Sequence, residues 1–134
     1  MWWALPAVVA GSAVIAAAAV ASDEWQRGFD RVADLGSPVA ASSENVAAGR
    51  ELYQQRCLPC HGPRGRGDGP AGAALDPRPA DLLLHVPQHT DGELYYFISR
   101  GVPGSGMPAW RTVLSESERW QLVQYLHEIG RGSP

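Results

Sequence analysis

The stretch that decides the fold is Cys57-Leu58-Pro59-Cys60-His61. Two cysteines separated by two residues place both sulfur atoms on one side of a single helical turn, where each can form a thioether bond to a porphyrin vinyl group. A histidine directly after the second cysteine can then bind the iron. This arrangement is typical of the attachment site of a c-type haem. The sequence therefore predicts one covalent haem c, held by Cys57 and Cys60, with His61 as the proximal iron ligand.

Two other kinds of site use a cysteine pair at this spacing. Zinc could be bound by Cys57 and Cys60 together with His85 and His89. However, 24 residues separate Cys60 from His85, more than the roughly 12 to 15 of a zinc finger. A reactive disulfide usually accompanies a β-α-β pattern, and none surrounds this motif. Haem is therefore favoured, with zinc and redox chemistry as the alternatives.

The second axial ligand is predicted to be Met107, the only methionine besides Met1. It follows His61 by 46 residues and lies in a segment, Gly101 to Trp110, that is too rich in glycine and proline to be the interior of a helix or strand. Such a loop can wrap the far face of a flat cofactor and present a thioether to it. Histidine–methionine ligation raises the reduction potential relative to two histidines. His85 or His89 is the alternative sixth ligand.

Three further segments predict helices. One runs from Asn45 to the haem cysteines, and a second runs from a capping pattern at Thr90 to about Ser99. The third is signalled by Ser115 and Glu118, which can form a reciprocal capping box. Its apolar residues follow helical spacing up to a terminating glycine; they are Trp120, Leu122, Val123, Leu126 and Ile129, before Gly130.

With these features, residues 44 to 131 resemble the class I monohaem cytochromes c, of the membrane-anchored bacterial type. The resemblance implies an all-α fold, the small cytochrome c fold, with three to four short helices around one haem c. It implies that Gly49 and Tyr53 let the first of these helices cross the last one closely. It also implies that a carbonyl of Pro77 or Pro79 accepts the other ring N–H of His61.

The function implied is one-electron transfer without catalysis. Both axial ligands would be kept while the iron changes oxidation state. Trp110, Arg111 and Arg78 are candidate partners for the haem propionates, because guanidinium groups suit carboxylates. The alternative functions are a haem enzyme or gas sensor with a displaceable sixth ligand, and a structural subunit whose haem takes no part in electron flow.

The N-terminal part of the chain differs from the rest. Residues 1–21 contain no charged side chain and, as a helix, would span about 30 Å, the thickness of a bilayer's hydrocarbon core. We expect an N-terminal transmembrane anchor, with a signal peptide cleaved after Ala21 as the alternative. Residues 22–43 predict an amphipathic helix, with Trp25, Phe29 and Val32 on one face, followed by a linker from residue 36. Residues 44–134 form the predicted haem domain.

Charge and location complete the expectations. The chain carries 11 basic and 14 acidic side chains, a net charge of −3, and no basic patch argues for nucleic acid. The anchor would place the protein in a bacterial inner membrane as a single-pass protein, with the haem domain on the periplasmic side. Its expected partners are a quinol-oxidising complex, a terminal oxidase or a photosynthetic reaction centre, and it could be a resident subunit of such a complex.

Overall fold

A computed structural model describes the backbone of residues 7–133 and the side chains from residue 14 onward. Six α-helices follow one another, and the described part contains no strand, which confirms the all-α prediction. The helices are α1 (Ala7–Val32), α2 (Ser43–Arg56), α3 (Leu58–His61), α4 (Leu82–His85), α5 (Asp91–Arg100) and α6 (Glu116–Gly130). Short 3-10 turns lie at Gly72–Ala74 and Val86–Gln88. The chain forms two compact units, residues 1–31 and residues 32–134.

Helix α1 is continuous through the predicted boundary at residue 21 and ends at Val32. The rings of Trp25 and Phe29, four residues apart, are stacked with centroids 5.3 Å apart. Within residues 7–133, no helix combines the length and the apolarity that a membrane crossing requires. The predicted anchor, residues 1–21, begins outside the described residues.

The second unit is built on the crossing of α2 and α6. An ideal Cβ at Gly49 would lie 2.1 Å from the carbonyl oxygen of Gln121, so only glycine lets the two backbones approach this closely. Tyr53, one turn later, is 1% exposed and packs its ring edge against Tyr125 at 5.3 Å. The close crossing expected from Gly49 and Tyr53 is therefore confirmed.

Helix α6 supplies much of the core because one broad face of it is apolar. Its buried residues include Trp120, Leu122, Val123, Leu126 and Ile129. Tyr95 of α5 stacks on Trp120 with ring centroids 4.0 Å apart and an interplanar angle of 13°. The aromatic residues of α5 and α6 therefore act largely in packing, each such pair contributing about 0.5–1.5 kcal/mol beyond its buried area.

The helix ends show why these segments fold locally. Thr90 and Glu93 form a reciprocal capping box at the start of α5, and Ser115 and Glu118 form another at the start of α6, as predicted. Each box satisfies amide N–H groups that a helix start otherwise leaves unpaired. Ser42 caps α2 in a simpler way by accepting from the N–H of Asn45. The predicted boundaries of α2, α5 and α6 are thus accurate to within two residues.

The segment predicted as a linker is held against the haem-motif unit rather than free. The backbone N–H of Ser37 donates to Asp91 at 3.1 Å, and Val39 packs against the core cluster. Further back, the hydroxyl of Thr90 donates to the carbonyl of Ala33. Residues 32–39, which we call the strap, therefore belong structurally with α5.

Candidate functional site

The five-residue motif forms a single helical turn that continues from α2. The N–H of Cys57 donates to the carbonyl of Tyr53 at 2.8 Å, and the N–H of His61 donates to the carbonyl of Cys57 at 2.9 Å. Pro59 lies in the first turn of α3, where its missing N–H and restricted φ cost nothing. The structure thus brings Cys57, Cys60 and His61 together on one turn, as their spacing predicts.

The glycine-rich loop after the motif folds back under this turn. Three N–H groups of the loop donate to carbonyls of the motif turn: that of Gly67 to His61 at 2.8 Å, that of Gly69 to Cys60 at 3.1 Å and that of Ala71 to Pro59 at 2.9 Å. An ideal Cβ on Gly69 would lie 2.4 Å from the Pro59 carbonyl oxygen, so a larger residue would push the loop away. The loop therefore fixes the backbone that carries the two cysteines and the histidine.

The imidazole of His61 is suited to bind a metal ion. Burial lowers its pKa below the ordinary value for histidine, and a hydrogen-bonding interaction with the Ala80 backbone offsets part of that lowering. The neutral ring is the form that ligates iron. Its buried Nδ1 has no hydrogen-bond partner of good geometry among the described residues, so the Ala80 interaction is weak. The bond expected from this ring to the carbonyl of Pro77 or Pro79 is likewise not formed by Nδ1.

The thiol of Cys57 is not that of a redox-active cysteine. Burial, together with the charge of Cys60, raises its pKa to about 12. Reactive cysteines in redox motifs have pKa values lowered below the ordinary value of about 8.5. Both cysteines are unpaired as thiols and half-buried. These properties fit a pair of cysteines that attaches a cofactor covalently better than a dithiol that alternates between the reduced and disulfide forms.

Tyr53 contributes a contact that the sequence argument missed. Its hydroxyl donates to the carbonyl of Gly62, the residue directly after His61, at 2.7 Å. Burial raises the pKa of this phenol well above its ordinary value, helped by the charges of Cys57, Tyr125 and Asp68. The hydroxyl is therefore a neutral donor. The signal available in the sequence was a tyrosine four residues before the first cysteine. Its position alone does not show which group accepts from its hydroxyl.

Met107 lies in the predicted irregular loop and packs against the same buried cluster as Cys57. The Ser105 hydroxyl oxygen accepts from the Met107 N–H at 3.2 Å and donates to Val102 at 2.8 Å. Beyond the methionine, the N–H of Trp110 donates to the carbonyl of Ile98 in α5 at 3.0 Å. The loop is therefore held to α5 through Trp110, and the half-buried side chain of Met107 packs against the core.

The histidine alternatives are not gathered around the cysteines. His85 is exposed, and Nδ1 of His89 lies 3.0 Å from Glu93. Across the described part of the chain, no group of three or more histidine, cysteine or acidic side chains is arranged to hold a metal ion. The structure therefore gives no support to the Cys2His2 zinc alternative.

The candidate propionate partners differ in their surroundings. Trp110 is half-buried against the core. Arg111 and Arg78 are both exposed, and the N–H of Arg111 donates to the carbonyl of Ser99 at 3.3 Å. Their roles toward the propionates stay predictions.

Comparison with known proteins identifies the family. A family model described as cytochrome c oxidase, cbb3-type, subunit III matches residues 44–126, more than half of the chain. Cytochrome c55X of Paracoccus denitrificans is 34% identical over 94 residues, which cover 68% of this chain and 78% of that protein. The cbb3-type cytochrome c oxidase subunit FixP of Rhizobium etli is 32% identical over 89 residues, covering 66% of this chain and 29% of FixP.

A solved structure shares the fold. A chain of the Kuenenia stuttgartiensis reducing HAO-like protein complex superimposes with a TM-score of 0.61 at 29% identity, over 72% of this chain and 48% of that chain. This chain thus matches about half of that neighbour and under a third of FixP.

The arrangement of the motif turn, the neutral buried imidazole and the methionine loop fits a covalently attached porphyrin. The family match covers all of these elements. The chain therefore belongs to the cbb3-type cytochrome c family as a class I monohaem cytochrome c, with one covalently bound haem c.

Proposed function

We propose that this protein is a one-electron carrier in which Cys57 and Cys60 hold the haem and His61 and Met107 are its axial ligands. The observation that carries the proposal is that the cysteine-bearing turn, through Cys57 and Leu58, and the side chain of Met107 pack against one core cluster. The coarser role, a haem c protein of electron transport, follows from the family.

The chain's own residues suit this task by staying in place. Bound haem supplies a one-electron couple between ferric and ferrous iron. The backbone bonds from Gly67 and Gly69 hold the proximal segment, and those from Met107 and Trp110 hold the distal loop. Because both ligand-bearing segments are pinned to the core, little of the protein need rearrange when the oxidation state changes. Reorganisation is then small, which favours fast transfer over catalysis.

The test uses the holoprotein. Ferric wild type is expected to show the near-infrared methionine-to-iron charge-transfer band, and its ferrous form is expected to bind carbon monoxide poorly. Met107→Ala should lose the band and bind carbon monoxide readily. His85→Ala is the matched control and should behave as wild type. If wild type lacks the band and binds carbon monoxide, the haem enzyme or gas sensor becomes the better assignment.

We propose further that residues 1–21 tether the protein to a bacterial inner membrane, with the haem domain on the periplasmic side. The support is the uncharged composition of this segment, long enough as a helix to match a bilayer core. Native membranes washed with alkaline carbonate should retain the full-length protein, and intact mass should include residues 1–21. Release of a shortened protein would indicate a cleaved signal peptide instead.

The proposed partners are redox complexes: a quinol-oxidising complex as donor, and a terminal oxidase or photosynthetic reaction centre as acceptor. Relatives named as oxidase subunits and a structural neighbour taken from a complex support residence in such an assembly. Mild detergent extraction followed by haem-staining of native gels tests this. A resident subunit migrates with its complex, whereas a mobile carrier migrates alone. In a resident carrier, Met107→Ala should reduce the electron flux of the complex, whereas a merely structural subunit would leave it unchanged.

A further inference from the structure

Tyr53 forms hydrogen bonds at both ends of the haem motif. Its backbone carbonyl accepts from the N–H of Cys57 at 2.8 Å, and its hydroxyl donates to the carbonyl of Gly62 at 2.7 Å. Cys57 is the first residue of the motif, and Gly62 directly follows the proximal histidine. The backbone carbonyl and the hydroxyl of Tyr53 thus bond to the two ends of the segment that binds the cofactor.

The hydroxyl is not required for packing. Tyr53 is 1% exposed between α2 and α6, and its ring meets Tyr125 edge to face with an interplanar angle of 63°. A phenylalanine would fill the same space and keep that ring contact. A buried hydroxyl is costly unless it is hydrogen-bonded. The hydrogen bond that it donates goes to the residue after the proximal ligand, and that direction suggests a role beyond filling the core.

The acceptor, the carbonyl of Gly62, takes two hydrogen bonds. It accepts from the Tyr53 hydroxyl at 2.7 Å and from the N–H of Gly65 at the longer distance of 3.2 Å. Gly62 has φ +78°, a conformation that glycine adopts without strain, and the next residue, Pro63, has no N–H with which to fix the following peptide. The hydroxyl of Tyr53 therefore makes the shorter of the two bonds that orient the carbonyl directly following His61.

We propose that the Tyr53 hydroxyl is a positioning group for the proximal ligand: by holding the Gly62 carbonyl, it fixes the backbone of His61 and hence the angle of the imidazole ring over the haem. This inference rests on the proposed ligation by His61. The Cys57 and His61 amides hold the start and end of the motif turn, and the Tyr53 hydroxyl, together with the Gly65 N–H, holds its exit.

The test compares two variants of the holoprotein that each remove one hydroxyl from the same ring pair, Tyr53→Phe and Tyr125→Phe. The readouts are the midpoint potential and the paramagnetically shifted haem-methyl resonances of the ferric protein, whose pattern reports the proximal ring angle. Tyr53→Phe should shift both relative to wild type while keeping the methionine band, and Tyr125→Phe should leave both unchanged. Wild-type values in Tyr53→Phe, or equal shifts in both variants, would overturn the inference.

A second measurement covers the case in which Tyr53→Phe does not mature. In wild-type holoprotein the bonded, buried hydroxyl proton of Tyr53 should give a slowly exchanging resonance with a nuclear Overhauser contact to the Gly62 region. Its absence would overturn the inference. Failure of the proposed ligation is distinguishable, because wild type itself would then lack the methionine band, whatever residue 53 is.

Discussion

The backbone N–H of Ser37 donates to the carboxylate of Asp91 across 54 positions of sequence, at 3.1 Å. The other carboxylate oxygen of Asp91 lies 2.7 Å from Nε2 of His127 in α6. Asp91 therefore joins the strap, the start of α5 and the last helix. Asp91 also lies in the first turn of α5, where the helix dipole favours a negative charge. One carboxylate therefore connects the strap, α5 and α6.

Replacing Asp91 should loosen this junction. Asp91→Ala removes both acceptors, and we expect the free energy of unfolding to fall by about 1.5–3 kcal/mol, the range for hydrogen bonds to charged groups. Asp34→Ala, which replaces an exposed carboxylate within the strap, is the control. Guanidinium unfolding of the holoproteins, followed by circular dichroism, measures the difference. Equal stability of the two variants would show that the junction contributes nothing.

Gly49→Ala should be strongly destabilising. The added Cβ would meet the Gln121 carbonyl at 2.1 Å, and backbone cannot move aside as a flexible side chain can. Overpacking of this kind costs about 1–3 kcal/mol, more than the gain of about 0.5–1 kcal/mol that alanine brings to a helix over glycine. Gly36→Ala is the control, since nothing lies within 4 Å of its Cβ position. Thermal unfolding should separate the two, and an unchanged Gly49→Ala would argue against the tight crossing.

Met107→His should lower the reduction potential. Exchange of a thioether for an imidazole gives two-histidine ligation, which favours ferric iron relative to histidine–methionine ligation. Potentiometric titration of the purified holoproteins provides the measurement, with His89→Gln as the control for the alternative sixth ligand. A potential that falls in His89→Gln and not in Met107→His would reassign the distal ligand.

Glu118 should give the protein an acid-sensitive step. Hydrogen bonds from Ser115, first from its backbone and then from its side chain, lower the pKa of this carboxyl below its ordinary value. The ionised form is thus favoured in the folded state. Its contribution is fully present above the ordinary glutamate pKa and is lost as pH falls through the lowered one.

The corresponding measurement is stability against pH for wild type and Glu118→Gln. Glutamine can still serve in a capping box but does not titrate. The loss of stability on acidification should therefore be shallower in the variant. Glu116→Gln, at the first position of α6, is the control. An acid limb as steep in Glu118→Gln as in wild type would contradict the assignment.

Local signals explain what could be predicted from sequence. The capping boxes at Thr90 and Ser115 depend on residues three apart, so they can be recognised without knowing the fold. The same holds for Cys57, Cys60 and His61, whose spacing places them on one turn. Gly49 and Tyr53 were placed through resemblance, because their meaning depends on a helix more than 60 residues away.

Long-range contacts explain what could not. The strap contains proline, serine and alanine, a composition typical of a linker, yet it is held in place by Asp91, by the Thr90 hydroxyl and by the packing of Val39 against the core. The buried Nδ1 of His61 makes no hydrogen bond to Pro77 or Pro79, because the position of those carbonyls depends on how the whole loop folds. The sequence pattern does not show which group accepts from the Tyr53 hydroxyl, because the direction of that side chain depends on how the core packs.

The sequence by itself determined that the protein carries a covalent haem c and where the helices with capping boxes begin, and it predicts His61 as the proximal ligand. These depend on residue types at short spacing, which fold locally in the same way wherever they occur. Only the tertiary structure decided how Met107 reaches the core, what holds the strap and where the Tyr53 hydroxyl is directed. Those contacts join residues far apart in the chain, and they form only when α2, α5 and α6 bury their apolar faces together.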